Sequence, residues 1–242
     1  NDGAKWESLQ LNLPDTPIRD LVIKDNDVVL GSHGRGFWIM DDIEPIRQHQ
    51  AEMKNQEAIL YKPNNAIRGI SDAHIQYHLN EEVETVSFDI LDQNDEVIDT
   101  FTGDQVKYEV DPNIPWWQRG GSSKPTTAKG LNTFTWDLRY PGATDFEGMI
   151  IWSARPTRGP KAPIGQYKIR MRTGDYQQTY PFSIEINPNL KGISKEDLDE
   201  QFKLAMQITQ KTTAANEAVI KIRDIKAKVE KATGKISAKN QK

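Results

Sequence analysis

Gly130 to Arg139 reads G-L-N-T-F-T-W-D-L-R, and Ala162 to Ile186 reads A-P-I-G-Q-Y-K-I-R-M-R-T-G-D-Y-Q-Q-T-Y-P-F-S-I-E-I. Phe134, Trp136 and Leu138 alternate with Thr133, Thr135, Asp137 and Arg139, so an extended chain here has one apolar and one polar face. Tyr167, Ile169 and Met171 repeat the pattern against Lys168, Arg170 and Arg172. Tyr180, Phe182, Ile184 and Ile186 repeat it again, and Gly174-Asp175 supplies a hairpin turn between the last two strands. Three half-buried strands at this spacing predict an antiparallel sheet within a β-sandwich. The pattern fixes an architecture and names no reaction.

Working outward, a second set of strands precedes this stretch. Ile75, Tyr77 and Leu79 alternate with His74, Gln76 and His78. Val86, Phe88 and Ile90 alternate likewise, Gln93-Asn94-Asp95 turns the chain, and Val97 to Phe101 returns it. With Ala58 to Tyr61 the strands come to about seven, the usual number for an immunoglobulin-like sandwich. Residues 103–129, rich in Gly, Pro, Ser and Thr, read as a long loop insertion, and they include Trp116-Trp117 and Arg119.

The first forty residues carry shorter strands. Leu9, Leu11 and Leu13 alternate with Gln10 and Asn12. Leu21 to Ile23 and Val28 to Leu30 flank an Asp25-Asn26-Asp27 turn, and Phe37 to Met40 reads as a short strand buried on both sides. Three or four such strands match one propeller blade. The expected organisation is therefore a terminal blade over 1–43, a linker over 44–62, the sandwich over 63–188 and a helical extension over 189–242. In the extension Ser194 is placed as an N-cap with Asp197 three residues on. Leu198, Phe202, Ala205 and Met206 mark one apolar face. Past Thr212-Thr213, Ala215, Val219, Ile222, Ile225, Val229, Ala232 and Ile236 mark another, which predicts an α-helical hairpin. The fold class expected is mainly β: a last propeller blade, an immunoglobulin-like β-sandwich and a helical hairpin.

The 242 residues carry a net charge of -4, which gives no reason to expect nucleic acid as a partner. No stretch approaches the roughly 18 apolar residues of a membrane span. Cysteine is absent, which removes disulfides and thiolate chemistry together. A start at Asn1 without Met is what a processed product or a fragment would show.

Several of these stretches resemble known families. Asn1-Asp2-Gly3-Ala4-Lys5-Trp6 resembles the second half of an Asp-box, the S-x-D-x-G-x-x-W turn of bacterial neuraminidase repeats, with Asn1 standing where the box has Asp. The run V-V-L-G-S-H-G-R-G-F-W-I-M-D-D-I, Val28 to Ile43, resembles the closing blade of sortilin-like propellers in exported bacterial proteins. The strands around Trp136 and Tyr167 are similar to the immunoglobulin-like domain that follows such propellers, and to that of the flagellar hook-capping protein. The resemblance implies a structural or recognition module of an exported protein, periplasmic or extracellular. Its partner would be an N-terminal propeller segment or a separate chain, with a glycan or protein as possible ligand. The alternative is part of a glycosidase-like hydrolase whose catalytic blades lie outside this chain.

Candidate chemistry is sparse. Arg35, between Gly34 and Gly36, is placed to offer a guanidinium to a carboxylate, or to pair locally with Asp41 or Asp42 in a tight crossover. Trp116, Trp117 and Arg119 suit stacking on a sugar or aromatic residue, or else an indole anchors the loop. His74 and His78 lie about 13 Å apart along a strand, too far to share a metal. Asp145 and Glu147 sit in a Gly-containing loop that does not fix a carboxylate pair. No nucleophile elbow, zinc-peptidase helix, phosphate loop or calcium loop is present, so no catalytic residue, metal or cofactor is expected.

Overall fold

The alternations described above become two separately packed units, Asn1–Asn55 and Gln56–Lys242. The computed structural model describes residues 3–4, 6, 8–49, 53, 55–105, 124–149 and 158–240, with side chains in the last helix described to 233. Over these described residues the chain is mainly β, with three sheets and a C-terminal helix.

The N-terminal unit holds β1 (Ile18–Lys24), β2 (Asp27–Ser32) and β3 (Phe37–Met40) in an antiparallel sheet ordered β1-β2-β3, followed by the short helix α1 (Glu44–Gln48). Lys24 pairs with Asp27, and Asp25 takes the left-handed conformation at φ 54 to close the hairpin. Leu9 to Leu13, expected as a strand, is a turn. Leu13 N–H donates to the Gln10 carbonyl, the Gln10 amide reaches back to the Leu13 carbonyl, and Leu11 has φ 46. Alternation alone did not make a strand there, because local amide bonds took the place of a ladder.

The second unit holds β4 (Ala58–Leu60), β5 (Ala66–Ile67), β6 (Ala73–Leu79), β7 (Thr85–Leu91), β8 (Val97–Asp104), β9 (Gly130–Trp136), β10 (Gly165–Thr173), β11 (Tyr176–Glu185) and α2 (Lys195–Asn240). Two sheets form, ordered β5-β11-β10-β7-β8 and β4-β6-β9. β4 falls within the stretch expected as linker, and its three residues are fully buried. The three strands of the deciding stretch do not share one sheet: β9 lies in one layer, β10 and β11 in the other. The crossing is made after Trp136, where Leu138 turns at φ 58 and its carbonyl accepts the Ala162 N–H at 2.7 Å.

The alternating residues meet between these layers. Tyr77 packs edge-on against Phe88 at 5.0 Å, Phe88 stacks on Phe134 at 5.1 Å, and Trp136 meets Tyr167 and Phe182 at 5.9 and 6.2 Å. Trp136 is buried and its indole N–H donates to the Arg139 carbonyl at 3.0 Å, so its one polar atom is satisfied. Tyr176 crosses the layers too, its hydroxyl accepting the Leu60 N–H at 2.8 Å. Pro181 is tolerated in β11 because β5 pairs only with Ile184 and Glu185, leaving the proline on an open edge.

The insertion's return leg is held closely. Tyr77 donates its hydroxyl hydrogen to the Thr126 carbonyl at 2.6 Å and accepts the Thr126 N–H at 2.8 Å. A side chain at Gly103 would stand 1.8 Å from the Pro125 carbonyl oxygen, which explains the glycine.

The extension is one continuous helix rather than a hairpin. Thr209 and Thr212 bond back to the carbonyls of Ala205 and Ile208, and no Gly or Pro interrupts the chain between Lys195 and Thr233. Its start is as read: the Ser194 hydroxyl accepts the Asp197 N–H, and the Asp197 carboxylate accepts the Ser194 N–H.

Two outcomes follow from this core. Trp136→Ala should lower unfolding free energy by about 3 to 5 kcal/mol, through lost burial and the cavity left behind. Urea unfolding with an unchanged midpoint would contradict the assignment. Burial, with Tyr140 and Asp199 nearby, holds the Tyr167 phenol well above its usual range, and burial raises Tyr77 and Tyr176 as well. Unfolded tyrosines ionise near about pH 10. The stabilisation is therefore complete below that pH and is lost as pH climbs from there through the higher folded values. Tyr167→Phe should flatten the alkaline fall in stability; an identical fall in parent and variant would refute the linkage.

Candidate functional site

The surface that stands out belongs to the N-terminal unit. Pairing sets Leu21, Leu30 and Trp38 side by side, and Ile23, Val28 and Met40 beside them. Directly paired residues share a face, so these six line one side of the sheet. The other side carries Val22, Val29 and Ile39, with Phe37 opposite Gly31. Both sides are thus apolar, the pattern of strands meant to be covered twice.

They are covered only in part: Val28, Val29, Leu30, Trp38 and Met40 are half-buried. β3, expected to be fully buried, leaves Phe37 82% and Ile39 61% exposed, and Leu21, Val22 and Ile23 of β1 are each more than half exposed. Leu9, Leu11 and Leu13, with Leu21, Leu30 and Trp38 of the first face, line a cleft of about 380 Å³. The signal was present in sequence: three consecutive apolar residues, Leu21-Val22-Ile23, put apolar groups on both faces at once.

Arg35 stands at the tip of the β2–β3 loop and is exposed. The loop is closed by Ser32, whose N–H and hydroxyl both donate to the Gly36 carbonyl, at 3.1 and 2.7 Å. Gly34 and Gly36 have φ 83 and 72, conformations that call for glycine. The Arg35 carbonyl accepts the Trp38 indole N–H at 3.1 Å. Its guanidinium makes no ion pair with Asp41 or Asp42 among the described residues; Asp42 instead accepts the Glu44 N–H and opens α1. Trp116, Trp117 and Arg119 lie outside the described residues.

His74 is engaged with Thr135, their Nδ1 and Oγ1 atoms 3.3 Å apart. Asp145 accepts its neighbour's N–H, from Phe146, at 2.7 Å, and Glu147 offers its carbonyl to Arg223 at 2.6 Å, so this loop packs against α2. Sequence reading missed Asp89, a buried carboxylate on β7. Arg170 donates twice to its Oδ2, at 2.9 and 2.7 Å, and Arg172 and Thr100 each donate to Oδ1 at 2.8 Å. Both oxygens are engaged, which makes Asp89 a clamp across β7, β8 and β10 rather than a reactive group. Among the described residues no group of three or more acidic or histidine side chains is arranged to hold a metal. Nor is any described helix long and apolar enough to cross a membrane.

No family model matches the chain, and no curated protein matches it. Among solved structures the chain is similar to CopC from Methylosinus trichosporium OB3b, at 13% identity and a TM-score of 0.26, over 55% of this chain and 98% of that one. That likeness is too slight to transfer any property.

Proposed function

We propose that residues 1–43 are the last blade of a repeat β-propeller and that the sandwich following it, immunoglobulin-like in kind, braces that propeller. The protein is then a non-catalytic structural module, exported to the bacterial periplasm or exterior, and its partner is a propeller segment preceding this chain or supplied by another. The observation that carries this reading is the three-stranded sheet with two apolar, exposed faces. A blade packs between neighbouring blades and needs both faces apolar; an ordinary surface sheet needs only one. Gly3, at φ 83, lies beneath the indole of Trp6, its would-be Cβ 3.6 Å from Nε1, as suits a glycine-and-tryptophan turn of the Asp-box kind. Among the described residues β1 has no neighbour on its outer edge, and edges of this sort call for a further strand.

A pair of face substitutions tests the proposal. Val22→Glu/Ile39→Glu should change the melting of the 242-residue chain by less than about 2 °C, because both side chains already face solvent. In the longer protein, carrying the segment encoded before Asn1, the same pair should lower the melting temperature by several degrees, since each glutamate would be buried between blades. Equal effects in the two contexts would overturn the reading, as would a gene in which no repeat segment precedes this one and none co-purifies.

A further inference from the structure

One face of α2 is already used. Leu198 is buried and Phe202 packs on Tyr140 at 4.7 Å. Farther along, Thr213 accepts the Thr144 N–H, Asn216 donates to the Thr144 carbonyl at 2.6 Å, and Arg223 lies 4.8 Å over the Phe146 ring. These contacts fasten the helix as far as Arg223. Beyond it, the bonds of its described side chains stay within the helix, Lys228 with Asp224 and Thr233 with the Val229 carbonyl.

The opposite face is apolar and open. Leu204, Ile208, Ile222, Ile225 and Val229 are each between 50% and 64% exposed. Their numbers fall in a heptad. With Ile208, Ile222 and Val229 at position a, Leu204 and Ile225 are at d; Ala215, Ala218 and Ala232 fill three of the places between and Lys211 takes the fourth, so the uninterrupted seam runs from Ala215 to Ala232. At about 100° per residue, Ile225 stands about 180° from Asn216 and Ile222 about 120° from it, so the docked face and the stripe do not compete.

The flanks of the stripe carry one sign of charge. Position g holds Lys221 and Lys228, position e holds Lys226, and the acidic residues Glu217, Asp224 and Glu230 fall at b and c, away from the seam. A second copy of this helix would set Lys221 against Lys226 if parallel, and lysine against lysine again if antiparallel, so the seam disfavours self-pairing. The stripe along a and d is narrow, with Val219 at e and the exposed Ile220 at f as the apolar residues beside it, and α2 has no aromatic residue after Phe202, whereas helices that lie on membranes present a broad apolar face with aromatic anchors. The intrahelical pairs of Lys228 with Asp224 and Lys226 with Glu230 are exposed and readily exchanged.

From this juxtaposition we infer that the second half of α2 is a docking helix for an acidic amphipathic helix, one with apolar residues at a and d and carboxylates at e and g. The two form a heterodimeric coiled coil seated on Ile222, Ile225 and Val229. The inference is independent of the reading of the N-terminal unit.

A fluorescein-labelled peptide of about four heptads, with Ile at a, Leu at d and Glu at e and g, is the probe, and its twin carries Lys at e and g. Fluorescence anisotropy with the 242-residue chain at low salt should show saturable binding of the Glu peptide, and binding of the Lys twin weaker by at least about ten-fold. Affinity should fall as salt is added. Ile225→Asp should weaken binding at least about ten-fold with helix content unchanged by circular dichroism, while Lys231→Ala at c should change it less than about two-fold. Equal binding of the two peptides, or no binding of either, would overturn the inference. So would binding of phosphatidylglycerol vesicles or duplex DNA without the Glu peptide, or a concentration-dependent homodimer that Ile225→Asp abolishes.

Discussion

The second unit depends on one contact set, the seating of Trp136 between the two sheets. Its indole meets Tyr167 and Phe182 of the facing layer, and its N–H holds the Arg139 carbonyl. That bond fixes the chain where it leaves β9 and turns through Leu138. Residues 138–140 then run beside 160–162, with the Arg139 guanidinium on the Gly159 carbonyl at 2.6 Å. Tyr140, set by this turn, is the ring on which Phe202 of α2 packs. A single buried indole thus links sheet pairing, the crossing between layers and the anchoring of the helix.

The N-terminal unit is made from the same kinds of residue with the opposite outcome. Its strands pair in register, yet neither face finds a second layer of its own. Leaving a Val, Leu, Ile or Phe side chain in water forgoes about 1.5 to 3 kcal/mol relative to burying it. Several such residues stand exposed on this one small sheet, whereas the second unit buries its alternating residues between two layers. The same logic applies to the far half of α2, where the apolar stripe is flanked by lysines that set the charge of what can cover it.

How much of this was legible follows from the range of the forces involved. Strand identity at Tyr77, Phe88, Trp136 and Ile169 was readable because the period-two pattern coincides with burial on one face. Gly174-Asp175 and Ser194 were readable because turn and cap chemistry is local. The layer to which β9 belongs was not, since alternation says which face is buried and nothing about the neighbouring strand. Leu9 to Leu13 showed alternation without a partner and became a turn. Thr212-Thr213 suggested a break, but the absence of Gly or Pro from Lys195 to Thr233 let backbone hydrogen bonding continue through them. Arg35 lies on a loop shaped by two glycines, and Asp42, one of the two acidic residues expected to pair with it, accepts the Glu44 N–H at the start of α1 instead. Asp89 gave no sequence signal at all: a carboxylate between Phe88 and Ile90 reads as the exposed face of a strand, and only the pairing of β7 with β8 and β10 brings Thr100, Arg170 and Arg172 over it.

The two-layered unit buries its own core, and the N-terminal sheet does not. Native-state amide hydrogen exchange on the 242-residue chain measures this strand by strand. The account predicts that amides paired between β1, β2 and β3 exchange at least about 100-fold faster than those of β6, β7, β9 and β10, because their sheet opens without disturbing the aromatic core. Protection of Val22, Val29 and Ile39 equal to that of Ile75, Phe88 and Ile169 would contradict it.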